Sequence, residues 1–511
     1  MFPYLRFSER FDRALVVAAL AHQPQLRKGT RIPYLMHPVH VAVLLQGHGF
    51  QEPVVLAGLL HDVLEDIELE NESVRAAFAE TFSELSDRSF TPDRFREALR
   101  GLIVAEFGVD VLAMVEAVTE LKEADSRKRP WRTRKDEQIV HGSTMEPGAA
   151  AVKAADALHN AYAILRDVES QGLKALERFN CSPQETLWYY GSVADVVRDR
   201  IGEQHSLVLE LDEIVYRMTE AIHSLLEPQG AVERCPFCGS QHVPARMCAS
   251  AGHADLRVEN AEGQRIYSIA HWRRLAPPVG KDVQWVNGRS AKEAARAWSQ
   301  MRPPSRVLEL LRTGAEFADL TIATAVAELV TSLDTFGEGR HHDLVLFASA
   351  REKRILVGLE AKSDEELGPI IADYLERTAR ENEARAEAGR QLSRVPQRIE
   401  SLTRLVFGSR QTNASNMRYQ LLHGLGGTLI EASRRGADVA VFVVHEFASQ
   451  MTAPSKVLRN EADVSSFADA VAPGTSDTLR HGRLAGPFEA GGSEQVPRGF
   501  PFYLGLAKTE L

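Results

Sequence analysis

The segment Gly58-Leu59-Leu60-His61-Asp62-Val63-Leu64-Glu65-Asp66 (GLLHDVLED) decides how the first part of the chain is read. It is an apolar run of helical character that carries four ionisable residues in six positions. Burying such charge is costly unless something pairs with it. Read as one helix over about 52–66, His61 and Glu65 stand four apart, as do Asp62 and Asp66, so the four groups line one side. A divalent cation answers the cost, because it neutralises carboxylates and coordinates imidazole. Two other segments offer further ligands: His37 stands just before Pro38 in GTRIPYLMHP, and AAVKAADALHN holds Asp156 with Asn160 one turn later. Two His and two Asp form a mixed N/O donor set suited to Mn, Fe, Co or Zn rather than Mg or Ca. The competing reading is a helix with polar residues facing solvent, or a satisfied core histidine.

Residues 1–225 around this segment read almost wholly as helix, with apolar pairs at helical spacing and Pro33, Pro38, Pro53, Pro92 and Pro130 as punctuation. Helices are expected at about 7–22, 38–48, 52–66, 109–122, 147–168 and 183–199, forming a bundle. The whole chain of 511 residues is too long for one core, so it is expected to be multidomain. Its 44% hydrophobic and 25% charged residues are those of an ordinary soluble protein. A net charge of −10 neither points to a nucleic-acid partner nor rules out a local basic patch. The first residues lack the pattern of a signal peptide, and no run approaches the roughly 20 apolar residues that span a bilayer. A cytoplasmic protein with no membrane partner is expected.

The pieces AHQPQLRKGTRIPYLMHPVHVA, AGLLHDVLEDIEL, VEAVTELK and AAVKAADALHNAYAIL occur in that order within about residues 5–200. Together they resemble the HD-type hydrolase domain of RelA/SpoT proteins and of the small alarmone hydrolases similar to the metazoan SpoT homologue. The resemblance implies that His37, His61, Asp62 and Asp156 bind one metal, usually Mn2+. It matches Glu65 and Asp66 to the family's catalytic acidic pair. It also places Arg27, Lys28, Tyr34 and Asn160 where the family meets its nucleotide. The implied activity is removal of the 3′-pyrophosphate from (p)ppGpp or a related alarmone by a metal-activated water. Glu65 would then be the general base, and Asp66 would orient the water or protonate the departing oxygen. The stretch SRKRPWRTRK crowds Arg127, Lys128, Arg129, Arg132, Arg134 and Lys135 around Trp131, either as phosphate and base contacts or as a solvated loop. RelA/SpoT proteins continue into a synthetase domain that nothing after residue 200 resembles, so hydrolysis without synthesis is expected.

Two further sites are expected beyond the bundle. CPFCGSQHVPARMCASAGH sets Cys235, Cys238, Cys248 and His253, with His242 as a rival, at spacings that fit a structural Zn2+ in a zinc-ribbon-like β unit over 226–276. The alternative there is reduced, buried cysteines. Residues 277–511 mix helices with β-branched runs, pointing to an α/β (α+β) domain. Within it, HHDLVLFASAREKRILVGLEAKSDE puts Asp343 at the head of one strand and Glu360 and Lys362 at the end of the next. This resembles the PD-(D/E)XK nuclease superfamily and implies Mg2+ held by carboxylates, a lysine near the scissile phosphate, and DNA or RNA as substrate. Glu328, expected on a preceding helix, would complete the acidic set, with Arg418, Gln420 and His423 facing the same cleft. The alternative to a plain hydrolase is therefore a two-part effector of the phage-defence kind. Its C-terminal domain would cut nucleic acid, while the HD domain senses or degrades a nucleotide signal.

Overall fold

The alanine-rich run in the middle of the N-terminal half is an axis around which that half is built. The computed structural model describes residues 8–87, 90–120, 129–226, 237, 256–278, 285–286, 288–299, 303–334, 339–409, 414–448 and 452–510. They belong to two units, Met1–Pro228 and Gln229–Leu511. In the first, eleven α-helices are described: α1 (Glu9–Ala21), α2 (Met36–Gly47), α3 (Glu52–Leu60), α4 (Val63–Asp66), α5 (Glu72–Thr81), α6 (Pro92–Phe107), α7 (Val109–Val118), α8 (Trp131–Gly142), α9 (Pro147–Gln171), α10 (Pro183–Ile201) and α11 (Ser206–Leu226). Helix α9 packs against α2, α3, α7, α10 and α11. It buries Ala149, Ala150, Ala151, Ala154, Ala155, Ala157 and Ala161, whose small side chains let five neighbours approach on several sides. Helix α10 starts on a capping box in which Ser182 and Glu185 satisfy each other's backbone amides, with Pro183 in the first turn.

The expected helix over 52–66 is broken. Helix α3 ends at Leu60, His61 and Asp62 form a turn, and α4 restarts at Val63. His61 Nδ1 lies 2.8 Å from the Gly58 carbonyl oxygen, an acceptor that helix continuation would otherwise use. The bundle also contains α5, α6, α8 and α11, which were not among the expected helices.

The second unit is built on a seven-stranded mixed sheet. Its strands are β1 (Arg257–Glu259), β2 (Thr321–Ala327), β5 (Leu344–Ala350), β6 (Lys353–Lys362), β7 (Val439–Ala448), β8 (Ala485–Glu489) and β9 (Pro501–Glu510), in the order β1-β2-β5-β6-β7-β9-β8. A two-residue pair, β3 (Val330–Thr331) with β4 (Arg340–His341), stands beside it in sequence. Strands β2, β5 and β6 run antiparallel, whereas β6, β7 and β9 run parallel. Alternate residues of β5, β6 and β7 enter two separate cores: Phe347, Leu356 and Phe442 one, Leu346, Val357 and Val441 the other. Burial on both faces is why these strands read as unbroken apolar runs. At Gly358, a Cβ would stand 2.0 Å from Thr428 Oγ1, so only glycine lets the helix Tyr419–Arg434 lie this close to β6.

Residues 257–259, within the expected zinc-ribbon-like stretch, pair with β2 of the large sheet. Cys235, Cys238, Cys248, His253 and His242 lie outside the described residues. Residues 470–498, rich in Gly, Ser and Pro, hold the helix Thr475–Arg480 and β8. Among the described residues, no helix is long and apolar enough to cross a membrane.

Candidate metal centre and its cavity

Three segments of the first unit meet at one point. Helix α2 brings His37, the turn after α3 brings His61 and Asp62, and α9 brings Asp156. His37 Nε2 lies 3.2 Å from Asp156 Oδ1 and 3.6 Å from Asp62 Oδ2. His61 Nε2 lies 3.0 Å from Asp62 Oδ2 and 4.0 Å from Asp156 Oδ1. The two imidazoles are 1% and 4% exposed, so the cluster is almost dry on that side.

The ring nitrogens are oriented from behind. His61 donates through Nδ1 to the Gly58 carbonyl, which turns the lone pair of Nε2 into the cluster. That Nε2 is buried and has no partner in hydrogen-bonding geometry. His37 Nδ1 lies 2.7 Å from His159 Nδ1. Burial, then the nearby His37 and Arg27, push His159 down to about 3, so it is a neutral acceptor for the His37 proton. His37 is left with its Nε2 lone pair toward the two aspartates.

The electrostatics ask for positive charge. Burial pushes the Asp62 and Asp156 carboxyls up, but His61 and His37, joined at Asp156 by Lys153, outweigh it and hold both well below the usual range. Burial pulls His61 down, yet Asp62 and Asp156 raise it to about 9. In effect, a proton on His61 supplies part of the charge that a cation would. Two convergent imidazole nitrogens, two ionised carboxylates and an orphaned buried Nε2 fit a divalent ion. Among the described residues, the one set of three or more donors lying within 4.8 Å of one another is His37, His61 and Asp156. Asp62 borders that set.

Around the cluster lies a cavity of about 290 Å³ lined by Glu65, Asp66, Glu120, Trp131, Lys135, Lys153, Tyr189 and Tyr190, among others. Glu65 Oε2 accepts from the Glu120 amide at 2.8 Å. The Tyr34 hydroxyl donates to Asp62 Oδ2 at 2.7 Å and lies 3.4 Å from Asp66 Oδ2, so this expected nucleotide contact also links Asp66 to the His-Asp cluster. Arg27 donates to Asn160 Oδ1 at 3.0 Å, and Asn160 donates to Asp156 Oδ1 at 2.6 Å. Lys28 lies 5.9 Å from the Phe179 ring centroid. Arg27 and Lys28 line a second space of about 700 Å³ that shares Tyr34, His37, Asn160 and Phe179 with the first.

The basic stretch is half of each expected reading. Trp131 begins α8 and reaches the cavity, but Arg129 pairs with Glu137, Arg132 with Asp136, and Arg134 and Lys135 with Glu120. Arg127 and Lys128 lie outside the described residues. Sequence reasoning assigned no role to His159, Lys153 or Tyr189. His159 sits inside the quoted ADALHN motif, yet its contact spans 122 positions and leaves no local mark.

In the second unit, the residues expected to hold Mg2+ are engaged otherwise. Glu360 is buried, with Oε1 2.9 Å from Lys362 Nζ and Oε2 bonded to Arg340 Nη2. Asp343 Oδ2 accepts from the Ala361 amide at 2.7 Å. Glu328 follows β2 rather than sitting on a helix, in the left-handed region at φ +51°, because the β-branched run TIATAV favours a strand there. Among the described residues, Glu328, Asp343 and Glu360 do not form a set of donors within 4.8 Å of one another, and two cationic side chains hold Glu360. Arg418 is paired with Glu366 and Asp463, and His423 stacks on Tyr419.

Burial and the neighbouring Asp343 push the Glu328 carboxyl up from 4.5 to about 9. From pH 4.5 upward the unfolded chain ionises this group while the folded chain does not, so stability falls as pH rises toward 9. Glu328→Gln removes that slope. Denaturant unfolding at pH 8 should show the variant more stable than wild type by about 1 kcal/mol or more, with the gap shrinking toward pH 5.

Within the helical unit, residues 14–98 match the HD domain family model. Residues 265–511 match a domain of unknown function, DUF6946. The chain is similar to the guanosine-3′,5′-bis(diphosphate) 3′-pyrophosphohydrolase MESH1 of Drosophila melanogaster, 28% identical over 210 residues, covering 40% of this chain and 93% of that protein. It is also similar to the guanosine-3′,5′-bis(diphosphate) 3′-pyrophosphohydrolases of Vibrio cholerae, 36% identical over 22% of this chain and 16% of that one, and of Borreliella burgdorferi, 26% identical over 30% and 20%. The chain thus spans a fifth or less of the length of these two bacterial relatives. A solved structure described as "A metazoan ortholog of SpoT hydrolyzes ppGpp and plays a role in starvation responses" is 26% identical, covering 42% of this chain and 97% of that one, with a TM-score of 0.29.

Proposed function

We propose that the N-terminal unit is a divalent-metal-dependent hydrolase that removes pyrophosphate from the 3′ position of guanosine 3′,5′-bis(diphosphate) or a related nucleotide. The observation that carries this reading is the meeting of His37, His61, Asp62 and Asp156 at the wall of a cavity that also holds Glu65 and Asp66. The similarity to 3′-pyrophosphohydrolases over the HD region supports the substrate class. A bound divalent ion, for which Mn2+ suits the donor set, supplies Lewis acidity and lowers the pKa of water.

The chain's own residues do the rest. Glu65, held by the Glu120 amide, takes a proton from the attacking water. The water oxygen bonds to the phosphorus next to the ribose, and the bond from that phosphorus to O3′ breaks. The departing O3′ keeps the electron pair and receives a proton by way of Asp66, which Tyr34 links to the metal cluster. The products are pyrophosphate and a nucleotide with a free 3′-hydroxyl. Arg27 orients from the adjoining space, through Asn160.

The purified chain with Mn2+ should release pyrophosphate from guanosine 3′-pyrophosphate nucleotides. No release from any member of a panel of 3′-pyrophosphorylated nucleotides overturns the reading.

A further inference from the structure

We infer that Lys153 is a catalytic residue of this site, its ammonium meeting the non-bridging oxygens of the pyrophosphate that leaves. The inference rests on the function proposed above and assigns the charge that lets an anion enter a cavity walled by acids.

Lys153 stands on α9 one turn before Asp156, and its side chain reaches the same cavity as Asp62 and Glu65. Its Nζ lies 3.6 Å from Asp156 Oδ2, whereas the other oxygen of that carboxylate, Oδ1, faces His37 and His61. Asp156 therefore separates the imidazoles from the ammonium, each on its own oxygen. Tyr189 backs the lysine, with the ring centroid 6.0 Å from Nζ.

The charge balance gives the lysine its role. Five carboxylates line the cavity, those of Asp62, Glu65, Asp66, Glu120 and Asp156. Glu120 is paired with Arg134 and Lys135, so the other lining lysine is already engaged. Against the four other carboxylates a bound divalent ion sets two positive charges, and a pyrophosphate group carries several more negative charges into the cavity, where like charges repel. A fixed ammonium already held in place lowers that repulsion without reorganisation during reaction. A lysine, charged at neutral pH by its ordinary pKa of about 10.4, contributes charge here rather than acid.

Lys153→Met should lower kcat/KM about a hundredfold. Equilibrium dialysis of the Mn2+-loaded protein against labelled inorganic pyrophosphate should show binding weakened at least about tenfold, while Mn2+ bound per chain stays at the wild-type level. Lys153→Arg should recover part of the pyrophosphate binding. If Lys153→Met does not fold, Lys153→Gln is read in the same way. Wild-type pyrophosphate affinity in the variant overturns the inference, and so does loss of Mn2+ together with pyrophosphate, which would mean that Lys153 acts only by orienting Asp156. A wild-type protein that binds pyrophosphate but hydrolyses none of the nucleotides fails the proposed function instead.

Discussion

Replacing Asp156 by alanine will empty the metal centre and lower hydrolysis by about a thousandfold or more. Asp156 is the only ligand drawn from α9, and its Oδ1 faces both imidazoles at 3.2 and 4.0 Å. Its loss leaves His37, His61 and Asp62, drawn from adjacent segments of chain, with no donor opposite them. It also releases Asn160, which donates to the same oxygen, and with it the anchor of Arg27. Metal analysis of protein reconstituted with Mn2+ should fall from about one ion per chain in wild type to near zero. His159→Ala supplies the contrast. That residue meets the His37 ring at Nδ1, away from the cluster, so its loss should cost about 10- to 100-fold in metal affinity or activity. Equal effects of the two variants would mean that the cluster is not assembled as described.

The second large effect is on stability. Arg340→Met should destabilise the second unit by about 3–5 kcal/mol in urea unfolding. Arg340 and Lys362 together hold Glu360, whose side chain is 3% exposed. Arg340 is itself packed tightly: a Cβ at Gly427 would stand 2.8 Å from its Cγ. Methionine fills much of that space but leaves half of a buried carboxylate without its partner. Adding Glu360→Gln should recover part of the loss, because the neutral amide carries no charge to compensate and its carbonyl oxygen can still accept from Lys362. No recovery in the double variant would show that Arg340 contributes through packing alone.

The sequence spelled out the chemistry of the first site better than its path through space. His37, His61, Asp62 and Asp156 were legible because buried ionisable residues in apolar runs demand a partner, and they do meet. The continuous helix over 52–66 was not, because the turn at His61–Asp62 depends on a side-chain bond to Gly58 that no helical periodicity encodes. His159 was invisible because its partner is an imidazole 122 positions away. The strands β5, β6 and β7 stood out as β-branched runs. Glu328 did not, since the short pattern TIATAVA before it could not separate a strand end from a helix. Arg340 carried no signal at all: an arginine between a loop and a strand looks solvated until the fold buries it.

Lys153, Asp156, His159 and Asn160 all ride on one alanine-packed rod. Any slide or twist of that helix moves an anion contact, a metal ligand, an imidazole prop and an amide bridge by a common displacement, so none can be retuned singly by shifting the backbone. Divergence toward a new substrate is thereby steered to cavity residues off that rod, such as Trp131 on α8.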